Sequence, residues 1–494
     1  MVRRGEDFNL LQEVNGVLFH SGKTRPLARA LAFHWGLPHG RQLSAFRLDA
    51  PRSARWISVA ILAAASILIR PLVLRAGQPQ PSEKLRVDMN AGQTASQPQS
   101  ATPLRTLIEE AERNNPQIIA ARRAWQAATQ VPSQVSTLPD PQFTIQEFTV
   151  GSPRPFAGFS NSGFAYIGFG VSEDLPYPGK LRLRGEAAQR DAAARREQVE
   201  TVRRSVIEQL KATYFRLAYI QQTLGVLERD EKLIGQIEKI AEARYRVGQG
   251  NQQDVLKAQL QETKILQQLE IHHQIMGSLE AQLKQVLNRP PDSPDITTEE
   301  MTETPLTYTS DQLLALVRTQ NPAVLTEQQL VRRQSLQVEL AHKDFYPDFN
   351  VQYMYQRTGL QFRGYYMLTF GVKVPIWRGR KQRPELAQAV EDLATSRREY
   401  EAQVQQTYFE VQDQFVKAET GDRLLTIYRQ GLIPQATATF DAGLAAYQTG
   451  REDFQTLLDS FLDLLNLDIE YWSTLAEHET ALARLEQLTG ITLQ

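Results

Sequence analysis

The side chains able to do chemistry in this 494-residue chain are seven histidines and an even scatter of 56 acids among 55 bases, with no cysteine at all. His272 and His273 are adjacent and so diverge on a helix, and no HExxH or comparable ligand spacing occurs; the histidines read as surface or packing residues. The missing cysteine removes a disulfide framework, a thiolate metal site and a cysteine nucleophile together. Gly248, Gly250 and Gly450 follow no strand and open no βαβ unit, so they make turns rather than a phosphate-binding loop. No catalytic, cofactor-binding or metal-ligating residue is assigned, and the sequence is read as non-enzymatic. A net charge of −1 with acids and bases interleaved gives no reason to expect a nucleic-acid partner. What does repeat is Tyr245-x-x-Gly248 and Tyr447-x-x-Gly450, where each glycine permits the positive φ at which a long helix can reverse.

These two turns belong to a duplication of the whole chain. FGVSEDLPYPGKLRLR at 169–184 converts an alternating strand into a proline corner and then a helix, and FGVKVPIWRGRK at 370–381 does so again. Before the first switch, residues 102–130 show helical spacing interrupted at Asn115-Pro116, where a turn or kink is expected. Phe143, Ile145, Phe148 and Val150 make a strand whose alternation slips between Ile145 and Phe148, a Gly/Ser/Pro/Asn loop covers 152–163, and the partner strand runs over 164–173. From Gly179 to Val247 there is no proline and the apolar spacing is three-and-four, predicting a helix of about 100 Å. A return helix is expected from Gln252 to Leu287, ended by Asn288-Arg289-Pro290-Pro291.

The second copy keeps the order. A helical stretch over 313–340 carries Asn321-Pro322 where the first has Asn115-Pro116. The next strand puts Phe349, Val351, Tyr353 and Tyr355 on one face and Asn350, Gln352, Met354 and Gln356 on the other, and Tyr366, Leu368, Phe370, Val372 and Val374 repeat the pattern. A long helix follows over 386–449, which Pro434 should kink or break, and a return helix ends near Gly490.

Arg52 and Arg55 precede an apolar run at 57–69, and small residues follow near Ala76-Gly77, the layout of a secretory signal, with an uncleaved anchor as the alternative. Residues 77–101, rich in Pro, Gln and Ser, read as a disordered linker. The expected divisions are 1–76 for the extension and signal-like segment, 77–101 for the linker, 102–308 and 309–490 for the two repeats, and about 141–173 and 348–375 for the strand hairpins. Beyond residue 76 no run of eighteen apolar residues exists, so a membrane crossing would require a β-barrel. Four strands cannot close one, but three copies supply twelve. The fold class is therefore mainly α with β: long helices with four strands per chain, contributing to a trimeric twelve-stranded transmembrane barrel. A soluble coiled-coil scaffold is the competing architecture, favoured if the apolar strand faces pack against helices.

LPDPQF at 138–143, DLPYPGKLRLRGEAA at 174–188, ARYRVGQGNQQDVLKAQ at 243–259 and LNRPPDSP at 287–294 resemble signatures of the TolC family of outer-membrane efflux proteins, in its branch found with heavy-metal and multidrug pumps. The resemblance covers about 102–490. It implies a homotrimer in outer-membrane lipid with its helical barrel in the periplasm. It also implies passive export of metal ions or small toxic compounds, with a periplasmic adaptor and an RND-type inner-membrane pump as partners. A protein-secretion exit channel of type I would share that architecture. The resemblance further implies that the turns dock onto the adaptor, placing Tyr245, Gly248, Tyr447 and Gly450 at the docking tips. Acids after the second turn narrow the periplasmic mouth in the family; Asp459 falls on one such position, Thr456 stands at another, and Asp254 is the first-repeat equivalent of Thr456. Many relatives in the metal-efflux branch carry a lipidated cysteine after the signal, and without cysteine no such anchor is expected here.

Overall fold

The computed structural model describes residues 101–149, 165–358 and 364–493. The signal-like segment, most of the linker, Val150 and the 152–163 loop lie outside the described residues. Two Asn-Pro steps begin the two repeats in the same way. Helix α1 (Leu104–Asn114) stops at Asn115, and α2 (Pro116–Ala128) starts with proline at its first position, where the missing N–H is no loss. Asn115 Oδ1 accepts from the amides of Gln117 at 2.9 Å and Ile118 at 3.3 Å, while its Nδ2 donates to the Val286 carbonyl at 2.8 Å. Asn321 does the same between α6 (Ser310–Gln320) and α7 (Pro322–Lys343), accepting from Val324 N–H at 3.0 Å and donating to Leu488 O at 2.9 Å. Each buried asparagine thus caps one helix and holds the end of its repeat's return helix. A short helix not read from the sequence, α3 (Val131–Ser136), precedes the first strand.

Strands β1 (Gln142–Phe148) and β2 (Tyr166–Leu175) lead into α4 (Lys180–Arg246), a helix of 67 residues, and α5 (Gln252–Leu287) runs back along it. Strands β3 (Asp348–Thr358) and β4 (Tyr365–Lys373) lead into α8 (Gln382–Ile427). A π-helical turn at Tyr428–Leu432 follows, then α9 (Ile433–Gln448) and the return helix α10 (Phe454–Thr489). The wide turn sits immediately before Pro434, whose ring cannot accommodate the carbonyl four residues back. The first core joins α4, α5 and α10 through Leu210, Leu217, Leu227, Ile234, Ile265, Leu283 and Phe461; the second joins α6, α8 and α10 through Leu313, Val411 and Leu482. Because α10 contributes to both, it ties the repeats together. Lys211 on α4 pairs with Glu486 on α10, and Arg229, bonded to its neighbour Asp230 at 2.8 Å, reaches Asp468 at 2.7 Å across the same seam. His478 is a buried joint: its ring nitrogens lie 2.9 Å from the Ala418 carbonyl of α8 and 2.8 Å from that of Thr304 in the inter-repeat linker.

Candidate functional sites in the sheet and the helical tips

All four strands form one antiparallel sheet in the order β1-β2-β3-β4, so the two hairpins are joined by β2 pairing with β3. The registers stack like side chains in rows. Phe143, Val171, Tyr353 and Leu368 form one row, and Ile145, Phe169, Tyr355 and Tyr366 the next. On the other face lie Gln142, Ser172, Gln352 and Thr369, and then Thr144, Gly170, Met354 and Met367. The first face is open: Phe143 is 81% exposed, and Phe370 and Tyr366 are each 71% exposed. Gly168, Gly170 and Met354 on the second are buried, and a Cβ at Gly170 would come within 2.7 Å of Thr144 Oγ1. The scaffold architecture required the apolar strand faces to pack on helices, whereas these rings are exposed. The expected slip in β1 does not occur. Its pairing with β2 is continuous, so Phe148 lies on the opposite face from Ile145, stacked on Tyr166 at 5.7 Å. Among the described residues no helix is long and apolar enough to cross a membrane.

At the opposite ends of the long helices, both turns form as the glycines suggested, with φ of +78° at Gly248 and +73° at Gly450. The two tyrosines before them differ. Tyr245 is exposed, whereas Tyr447 is buried. The cause is Arg244, which sequence reasoning passed over. Its guanidinium lies 4.4 Å above the Tyr447 ring, donates to the Tyr447 carbonyl, and also donates to Gln249 O at 3.1 Å. Phe454 meets the same ring in a T-shaped contact at 5.6 Å. A basic residue in the last helical turn, facing free carbonyls, was the available signal. Burial pushes the Tyr447 hydroxyl pKa up, the nearby Asp254 carboxylate adds to the rise, and Arg244 opposes it.

Asp254 is half-buried in the first turn of α5, beside this tyrosine. Asp459 is exposed on α10 and accepts from Gln455 Nε2 at 2.7 Å; Gln455 in turn accepts from Lys257 of α5 at 2.6 Å. Thr456 donates both its amide, at 2.8 Å, and its hydroxyl, at 3.1 Å, to Asp453, the N-cap of α10. Those bonds, the amide's first, hold the Asp453 carboxyl below the usual carboxylate range. The structure therefore brings Asp254, Tyr447 and Arg244 together, leaves Tyr245 free, and ties Asp459 into a separate polar chain. Among the described residues no group of histidines and acids could hold a metal ion.

The family model described as "Outer membrane efflux protein" matches residues 107–289 and again 313–491. Solved structures share the fold. The outer-membrane channel OprN superimposes with a TM-score of 0.68 at 16% identity, over 78% of this chain and 89% of that one. CusC gives 0.68 at 17%, over 79% and 92%, and VceC of Vibrio cholerae gives 0.68 at 18%, over 79% and 97%. None of the curated proteins matches the chain by sequence.

Proposed function

The chain belongs to the outer membrane efflux protein family, and on that premise we propose that it is the exit duct of a tripartite efflux system. Three chains form the duct, their strands closing a twelve-stranded barrel in the outer membrane and their helices a periplasmic tunnel. An adaptor and an RND-type inner-membrane pump deliver metal ions or small toxic compounds, which pass without chemical change. Residues 102–308 and 309–490 act as the two repeats of each chain. Asp254 and Asp459 line the periplasmic mouth, where three copies of an acid repel anions and attract cations. Tyr245, Gly248, Tyr447 and Gly450 form the docking tips, with Tyr447 beneath the Arg244 guanidinium.

The observation that carries this reading is the sheet. Among the described residues its edges, β1 and β4, are unpaired, with one face of exposed rings and one of Gln, Ser, Thr, Gly and Met. Such an edge recruits another strand, and such a pair of faces suits lipid outside and water inside. Envelope fractionation and sizing in mild detergent test the assembly, with a membrane-bound trimer expected and a cytosolic monomer overturning it. A strain lacking the chain, challenged with metals, dyes and antibiotics, should lose resistance to the exported class. Unchanged resistance across the panel would overturn the efflux role.

A further inference from the structure

The duplication supplies a template for a contact that one chain cannot make with itself. Where β2 runs into α4, Tyr177 and Lys180 are locked onto the segment leading into β3. The Tyr177 ring stacks on Tyr346 at 4.6 Å, the Tyr177 amide donates to Asp348 Oδ1 at 2.8 Å, and Lys180 pairs with Asp348 at 2.8 Å and Asp344 at 3.0 Å. Lys180 is buried there. The equivalent elements of the other copies are Pro375-Ile376-Trp377 after β4, matching Pro176-Tyr177-Pro178, and Leu138-Pro139-Asp140 before β1, matching Tyr346-Pro347-Asp348. Both are left open. Ile376 is 73% exposed, Trp377 66% and Leu138 43%, and Asp140 is exposed with no ion pair among the described residues.

We propose that the turn after β4 docks onto Leu138-Pro139-Asp140 of a neighbouring copy of this chain, with Ile376 and Trp377 covering Leu138 and Arg380 pairing with Asp140. The inference rests on the trimeric reading above and names the residues that seal its seams. Charge and face both fit. Arg378, Arg380 and Lys381 crowd the turn with no salt bridge among the described residues, opposite the lone carboxylate. Lys180 itself corresponds to Gly379, between Arg378 and Arg380; the Arg378 Nε already donates to the Pro375 carbonyl at 3.2 Å, which leaves Arg380. Asp344 corresponds to Ser136, so one carboxylate rather than two receives the cation. Carrying the β2–β3 register across at the same prolines sets Phe370 opposite Ile145 and Val372 opposite Phe143 of the neighbour. Every one of these four lies on the ring-bearing face, so the sheet continues across the seam without turning a side chain to the wrong side.

The absence of native cysteine makes the test direct. Full-length chains carrying Leu138→Cys alone and Ile376→Cys alone are co-expressed, oxidised in intact membranes and resolved without reductant; Tyr177→Cys with Tyr346→Cys in one chain is the intrachain control. The expected result is a covalent dimer from the mixed chains, and a ladder up to trimer when both cysteines share a chain. In parallel, Asp140→Arg should lower the fraction of trimer retained in mild detergent several-fold, and adding Arg380→Asp should restore it. A trimer that gives no link between copies, or only a link within one chain, overturns the contact while leaving the trimer standing. Absence of any trimer overturns the reading on which it rests. If the turn faces lipid instead, brominated phospholipid will quench the emission that Trp377→Phe removes and no link will form, which also overturns the proposal.

Discussion

Replacing Arg244 by methionine keeps most of the side chain's apolar stem but removes the cation that joins the two helical hairpins at their tips. Two contacts cross between hairpins: the guanidinium 4.4 Å over the Tyr447 ring and the hydrogen bond to the Tyr447 carbonyl. The third, to Gln249, stays within its own turn. A cation–π contact at a half-exposed site contributes about 0.5–1 kcal/mol, and a hydrogen bond from a charged donor about 1.5–3 kcal/mol. The hairpins thus lose roughly 2–4 kcal/mol of mutual attachment, an increase of about 30- to several-hundred-fold in the open population of the tip at tenfold per 1.4 kcal/mol. The cores along α4, α5 and α10 are untouched, so Arg244→Met should still assemble. Hydrogen exchange of amides flanking Gly248 and Gly450 should accelerate by that factor, and passive conductance in planar bilayers should rise. Tyr447→Leu should produce much of the same effect, and the double variant should add little to either. Unchanged exchange at the tip, strictly additive effects, or loss of the trimer would each refute the latch.

Gly450→Val should strain the left-handed cap by about 1–2 kcal/mol; the added Cβ meets only the end of Arg244, 3.4 Å away, so the trimer should persist while efflux, read as drug or metal sensitivity, is lost. Asp459→Ala should raise passive leak and weaken the cation preference of the closed mouth, measured as single-channel conductance and reversal potential. Tyr353→Asp, on the exposed ring-bearing face, should impair membrane insertion at a cost of about 1–4 kcal/mol, with acids toward the lower end, whereas Gln352→Asp on the opposite face should not; heat-modifiability on gels separates the two. Burial raises the Glu208 carboxyl pKa, with Arg484 opposing. The folded state therefore holds that proton more tightly than the unfolded chain, so the group's contribution is most favourable at low pH and is lost as pH rises from the ordinary carboxylate value through the raised one. Glu208→Gln should accordingly raise the melting temperature at pH 7 more than at pH 4, and an equal shift at both would disprove the assignment.

Order and type of the elements were legible because proline placement and apolar spacing are local signals: no proline separates Gly179 from Val247, and that stretch is one helix. Strand faces were legible where alternation was clean, in β3 and β4. In β1 an aromatic residue on the face opposite Ile145 imitated a slip that the backbone does not make, since Phe148 pairs in register with Tyr166 and stacks on it. The tips were legible as turns but not as surfaces. Tyr245 and Tyr447 hold the same place in the two copies, and nothing local distinguishes them; what differs is the residue before each, Arg244 in one and Ala446 in the other. A long cation on the first copy's helix reaches across to the second copy's tyrosine, whereas the second copy has alanine at the matching position and the first copy's tyrosine stays exposed. The duplication therefore repeats the architecture but not the attachments. At the sheet end, the first copy's Tyr177 and Lys180 are satisfied within the chain, while Ile376, Trp377 and Arg380 of the second are left open, with complementary groups at Leu138 and Asp140. At the far end the join between the two copies carries the Arg244 latch, and the matching position on the second copy, 446, is alanine. Both ends of the long helices are thus held within the chain by groups that the second copy does not repeat, so Arg244 at the tips and Lys180 beside the sheet are where a single substitution loosens the join between the two copies.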